Sequence, residues 1–285
     1  FRGQLRPGPR PLWSEGRRSV IMGPGPRRTR SDMEGVTTLG ILKVDSVREP
    51  FVRRHGDYPA MFRALFLAAA GGSPAVSPAF SLAFRDHDVL AGEIPDRPDE
   101  VDAWIVTGSR HSVYDDLPWI RRLEDFVRAV HAARRPLVGI CFGHQLVASA
   151  LGGETRRAAV GWGVGVHESR LVAAPPWLPP GARRFALLSS HQDQVTRLPE
   201  EAERLATSDF CPNAAFTVGE HLLCFQGHPE FTAAYARELL DFRREQLGEA
   251  VHAAGIASLA RSVDAVRVGR WILAFVDRAR AAPRT

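Results

Sequence analysis

Few cysteines, no long apolar run and no paired metal-ligand motif narrow the reading of this 285-residue chain before any positive signal does. Its three cysteines, Cys141, Cys211 and Cys224, form no even set of closely spaced pairs, which argues against a disulfide-stapled secreted fold. No stretch of about 18 or more uninterrupted apolar residues occurs, so a membrane-spanning helix is not expected. The richest apolar run, 64–70, is far too short. Spacings such as C-x-x-C or H-x-x-x-H are missing, and neither a metal nor another cofactor is expected. The apolar central region of roughly 7 to 15 residues that a secretory signal needs is also missing, which leaves the cytoplasm as the expected location. No internal repeat is visible.

The net charge of +5 invites a nucleic-acid reading, but its placement weakens that reading. Residues 1–32 hold eight arginines against two acids, Glu15 and Asp32, so that segment carries +6 and leaves −1 on the remainder. Met33 stands just ahead of the first strand-like run, and the Arg/Gly/Pro-rich stretch before it reads as an upstream-start artefact or a disordered basic extension. The rest, 45% hydrophobic over the whole chain, suffices for one large core.

Short apolar runs alternate with helical spacing in the first half. Residues 37–44 read as a buried parallel strand, 80–84 as a second and 101–106 as a third, while 137–140 run straight into Cys141. Between them, Met61, Leu65, Phe66 and Ala69 share one face of a helix over 57–70. Ile120, Leu123, Val127 and Val130 do the same over 117–133. A third helix is expected over 145–151, closed by Gly152-Gly153. Parallel neighbours need crossover connections, so this alternation predicts an α/β fold with a parallel sheet. The second half, with β-leaning runs at 161–172, 185–189, 214–218 and 221–225, predicts a small antiparallel extension. Helices are expected over 233–246 and, with a break, over 249–281. The expected organisation is an extension at 1–32, a main domain at 33–248 and a helical extension at 249–285 packed on that domain.

The chemistry centres on Cys141, which stands between Gly139 and Gly143 at a strand-to-helix junction, the cysteine counterpart of the G-x-S-x-G elbow. The sharp turn crowds the backbone, and the following helix points its N-terminal N–H groups at the sulfur, which favours thiolate. The Phe142 N–H is then placed to donate to an oxyanion. The plainer alternative for Cys141 is a buried core thiol, which is how Cys211 and Cys224 read. A thiolate nucleophile needs a base, and His228-Pro229-Glu230 follows a strand-like run. If that segment is extended, positions 228 and 230 point the same way, so Glu230 orients the imidazole while its other nitrogen faces Cys141. Alone, H-P-E reads more simply as a turn. His144 is a rival base, but it lacks an acid partner.

Four segments, T-G-S-R-H-S-V at 107–113, G-I-C-F-G-H-Q at 139–145, S-S-H-Q-D-Q-V at 189–195 and F-Q-G-H-P-E-F at 225–231, resemble class I glutamine amidotransferase domains in sequence and in order. The resemblance spans most of 37–247 and implies a three-layer α/β sandwich with a mostly parallel, flavodoxin-like central sheet. It implies that Cys141, His228 and Glu230 hydrolyse a γ-glutamyl amide through a thioester. Gly108 and Ser109 would supply a second oxyanion N–H beside that of Phe142, and Gln145, Ser190 and Asp193 would hold the glutamyl group, Asp193 through its α-ammonium. Gln145 could equally brace the elbow, and Ser190 and Asp193 could be ordinary turn residues. Where synthetase-linked members carry G-G-P, this chain has Thr107-Gly108-Ser109, closer to free-standing relatives such as the plant γ-glutamyl peptidases.

Three functions compete: a stand-alone γ-glutamyl hydrolase, a glutaminase subunit feeding ammonia to a separate synthetase partner, and a binding protein with a basic nucleic-acid arm. The first is favoured, with a small-molecule γ-glutamyl substrate and with neither nucleic acid nor membrane as partner. Loops at 47–57, 111–119 and 156–162 are expected to line the leaving-group side.

Overall fold

The computed structural model describes residues 36–71 and 81–281. The basic extension expected over 1–32 lies outside them. In chain order the first half runs β1 (Val36–Lys43), α1 (Phe51–His55), α2 (Tyr58–Ala70), β2 (Ser81–Asp88), β3 (Ala103–Val106), α3 (Pro118–Ala132), β4 (Leu137–Ile140) and α4 (Phe142–Ala150). The second half continues with β5 (Glu154–Arg157), β6 (Gly163–Leu171), β7 (Arg184–His191), β8 (Asp193–Arg197), β9 (Ala202–Thr207), β10 (Ala215–Val218) and β11 (Leu222–Phe225). It closes with α5 (Ala233–Phe242), α6 (Arg244–Leu247), α7 (Glu249–Ser258) and α8 (Ala265–Ala281).

Nine strands form one sheet in the order β2-β1-β3-β4-β11-β10-β9-β6-β7, and β5 pairs with β8 in a separate ribbon. The pairings from β2 to β11 are parallel, which is the 2-1-3-4 order of flavodoxin-like sheets with β11 as the fifth strand. From β11 onward every pairing is antiparallel.

Period-two alternation explains the layers. On β3, Ala103 and Ile105 enter one core with Phe62 and Phe66 of α2 and Ile272 and Phe275 of α8. Trp104 and Val106 enter the other with Ile120, Leu123 and Val127 of α3 and Leu146 of α4. The central strands are buried on both faces, so they read as unbroken apolar runs. The helices start where local chemistry permits: Asp57 caps α2 by accepting from the Tyr58 N–H, and Pro118 opens α3.

Two expectations needed revision. Ser190 and Asp193 are not turn residues: they lie on β7 and β8, paired to β6 and β5. His228 bridges Leu188, but Pro229 and Glu230 then turn, so the segment is not extended. Pro229 fixes φ and has no N–H to continue a ladder, which favours the bend.

The candidate active site

Four parallel strands deliver the site at their carboxyl ends. β4 delivers Cys141, β3 leads into Thr107-Gly108-Ser109, β11 leads to His228, and β1 leads to Asp45. Cys141 adopts φ 53°, a left-handed conformation that costs a non-glycine residue about 1–3 kcal/mol and is held by its surroundings. Its N–H donates to Phe225 O at 2.9 Å and its carbonyl accepts from the Gln145 N–H at 3.1 Å. The flanking glycines are required by close approach: a Cβ on Gly139 would lie 2.5 Å from Gly143 O, and one on Gly143 would lie 2.5 Å from Val106 O. The sharp elbow therefore rests on the helix pressing against β3 and β4.

The turn at 228–230 brings the acid back onto its histidine. His228 Nδ1 and Glu230 Oε1 are 2.7 Å apart, with both side chains almost wholly shielded from solvent. Phe231 stacks on the imidazole, ring centroids 3.8 Å apart and 10° from parallel, and fixes its plane. Burial by itself would depress the pKa of His228. The charges and hydrogen bonds of Glu230 and Cys141 outweigh that and raise it to about 10. With Nδ1 engaged by Glu230, the ring turns its other nitrogen to the sulfur. Gly108 sits beside both, since a Cβ there would come 2.8 Å from His228 Cε1 and 3.7 Å from Cys141 Cβ.

His144 is set apart from this cluster. It is fully buried, packs on Phe216, and places Nε2 2.9 Å from Asn213 O, which makes Nε2 the protonated nitrogen. Burial lowers its pKa to about 3, so it stays neutral. Cys211 and Cys224 are also buried, and desolvation raises both thiols, Cys211 to about 12.

Two cavities meet at Cys141. One is lined by Gln145, Ser190 and Asp193, with Ser109, His111, Ser112, Trp162 and Arg243. The other, the smaller, lies against Asp45, Arg48, Phe51, Tyr58, Arg110, His228, Phe231 and Tyr235. All three expected loops reach these walls, through Arg48, His111 and Trp162. Gln145 acts partly as a brace: its Nε2 donates to Asp193 O at 2.8 Å and to Gln226 Oε1 at 3.0 Å. Asp193 accepts from Ser112 Oγ at 2.5 Å and Tyr114 Oη at 3.0 Å. Ser190 Oγ accepts from Arg243 Nη1 at 2.6 Å. Ser109 Oγ donates to Val44 O and accepts from the His111 N–H, both at 3.2 Å, which pins the turn beside Cys141.

Sequence reasoning missed Arg243, Arg110, Asp45, Tyr58 and Tyr235. An arginine ending a helix reads as a partner of the helix dipole, and only the fold turns Arg243 towards the site. Among the described residues no cluster of His, Cys, Asp and Glu could hold a metal, and no helix is long and apolar enough to cross a membrane.

The family model described as glutamine amidotransferase class-I matches residues 82–242. Gamma-glutamyl peptidase 3 of Arabidopsis thaliana is 32% identical over 168 residues, which is 54% of this chain and 65% of that protein. The chain thus spans a little under two thirds of that relative. A glutamine amidotransferase-like protein of Schizosaccharomyces pombe is 30% identical over 212 residues, 72% of this chain and 84% of the relative. Among solved structures, a glutamine amidotransferase from Thermotoga maritima superposes with a TM-score of 0.61 at 20% identity, covering 87% of this chain and 99% of the other, a likeness of fold.

Proposed function

Because the chain belongs to the class I glutamine amidotransferase family, we propose that it hydrolyses γ-glutamyl amide bonds with Cys141 as nucleophile, His228 as acid–base and Glu230 as the group that orients His228. The observation that carries this reading is the histidine held between a carboxylate and a thiol at a strained elbow. The thiol proton passes to His228, whose raised pKa favours holding it. The sulfur attacks the amide carbonyl, and the N–H groups of Phe142 and of the Gly108-Ser109 turn take up the oxyanion. His228 passes its proton to the departing nitrogen, and a γ-glutamyl thioester remains on Cys141. His228, now neutral, removes a proton from water, which displaces the sulfur and releases glutamate. Glu230 keeps its charge throughout and stabilises the imidazolium each time it forms.

The Thr107-Gly108-Ser109 form of the oxyanion turn and the likeness to Gamma-glutamyl peptidase 3 favour γ-glutamyl peptides over glutamine as substrates. A panel of glutamine, glutathione and γ-glutamyl dipeptides, read as glutamate release with Cys141→Ala as control, tests this. Turnover of the peptides that vanishes in the variant supports the reading. Glutamine-only turnover, accelerated by an added protein, would instead indicate ammonia delivery, and no release from any member of the panel would overturn the proposal.

A further inference from the structure

Arg243 ends α5, opens α6 and lines both cavities that meet at Cys141. Its Nη1 donates to Ser190 Oγ at 2.6 Å, and its guanidinium lies over the Trp162 ring, 5.3 Å from the centroid. Neither neighbour carries negative charge. Among the described residues no aspartate or glutamate pairs with Arg243, whereas the next residue, Arg244, is paired with Glu249 at 2.7 Å. Burial draws the pKa of Arg243 below the usual guanidinium range, as expected of a cation held where water is scarce. Holding a charge in such a place without a counter-ion costs solvation energy that the empty site does not recover.

Asp193 is its mirror image. Its carboxylate belongs to the same cavity, accepts hydrogen bonds from the neutral Ser112 and Tyr114, and has no cationic partner among the described residues. The other arginines nearby cannot supply one: Arg110 is held by Asp45 at 2.7 Å, and Arg48 lines only the second cavity. One cavity therefore offers a cation with no carboxylate partner and a carboxylate with no cationic partner, with the nucleophile at the same wall. The ligand that complements both carries an ammonium and a carboxylate on one carbon, which is the head of an α-amino acid.

We propose that Arg243 binds the α-carboxylate of the γ-glutamyl group while Asp193 takes its α-ammonium, which makes Arg243 the residue that demands a free α-carboxylate. This rests on the γ-glutamyl reading above and adds a residue that lies outside all four motifs of the family resemblance. Ser190 then serves to aim the guanidinium, and Trp162 covers its face, so that the planar fork meets the carboxylate with two parallel N–H bonds.

The test is calorimetric binding of L-glutamate and of 4-aminobutyrate, the same molecule without its α-carboxylate, to the wild type, Arg243→Gln and Arg243→Lys. The wild type should prefer L-glutamate by roughly 10- to 100-fold, the range for a hydrogen-bonded charge contact. Arg243→Gln should lose that preference through weaker glutamate binding while keeping its affinity for 4-aminobutyrate, which also reports an intact fold. Arg243→Lys should recover part of it, having the charge without the fork. If the wild type shows no preference, or Arg243→Gln keeps the full preference or weakens both ligands equally with an unchanged unfolding midpoint, the assignment is overturned. Because binding needs no turnover, a wild type that prefers glutamate yet hydrolyses no γ-glutamyl amide would defeat the hydrolase reading alone. Brisk hydrolysis with an indifferent Arg243→Gln would defeat this assignment alone.

Discussion

In the proposed chemistry, the proton that His228 exchanges with the sulfur and the leaving nitrogen governs the reaction, while the other N–H of the ring stays hydrogen-bonded to Glu230. His228 is raised above its ordinary value of about 6.5 to about 10, so the stability it contributes is complete below about 6.5 and is lost as pH climbs through about 10. The proton it donates to the leaving nitrogen disappears over the same upper range. The expected profile of kcat/KM therefore has an alkaline limb near pH 10. Glu230→Gln removes the main charge that raises His228, so that limb should move to lower pH, and kcat should fall roughly 10²- to 10⁴-fold. An unmoved limb in this variant would show that Glu230 does not govern the histidine. At this scale much was legible: the elbow glycines and the H-P-E run pointed to groups that the fold brings together, because each is a local pattern with a mechanical reason. The mode of approach was not, since 228 and 230 meet through a turn rather than along an extended strand. Arg243 was illegible because its distance from Ser190 depends on how α5 docks, not on its neighbours in sequence.

Elements place these side chains through backbone contacts that leave no room for error. α4 lies so close to β3 that a Cβ on Gly143 would meet Val106 O at 2.5 Å and Val106 Cβ at 2.8 Å. Backbone on both sides cannot yield, so Gly143→Ala should cost about 2–3 kcal/mol, seen as a lower denaturation midpoint. The same shift tilts Cys141 and should depress activity more than stability. Wild-type stability and activity in Gly143→Ala would refute the close packing. Long periodic elements were readable before folding: α2, α3 and β4 fall within a residue or two of their sequence expectations. β5, β8 and β9 were not foreseen, since Glu154–Arg157 is wholly polar, Ala202–Thr207 is half polar, and their pairing comes from partners elsewhere in the chain. The short α1 also escaped, although its Phe51 lines the second cavity.

At the scale of the whole molecule, the described residues that line the site come from positions 45–246, and the chain outside 1–32 carries a net charge near −1. Deletion of residues 1–32 should leave γ-glutamyl hydrolysis within about twofold of the full chain, since every residue assigned a role in the proposed chemistry lies outside that segment. A large loss of activity would place part of the site in that segment. Salt-sensitive binding of nucleic acid by the full chain would revive the reading of a basic arm. The most direct test concerns the sulfur itself. Rapid acid quench during turnover of a γ-glutamyl peptide, followed by peptide mass spectrometry, should show a γ-glutamyl group on the peptide bearing Cys141. The adduct should be absent in Cys141→Ala, which should also be inactive. Steady hydrolysis by Cys141→Ala, with no adduct in either protein, would contradict the proposed mechanism.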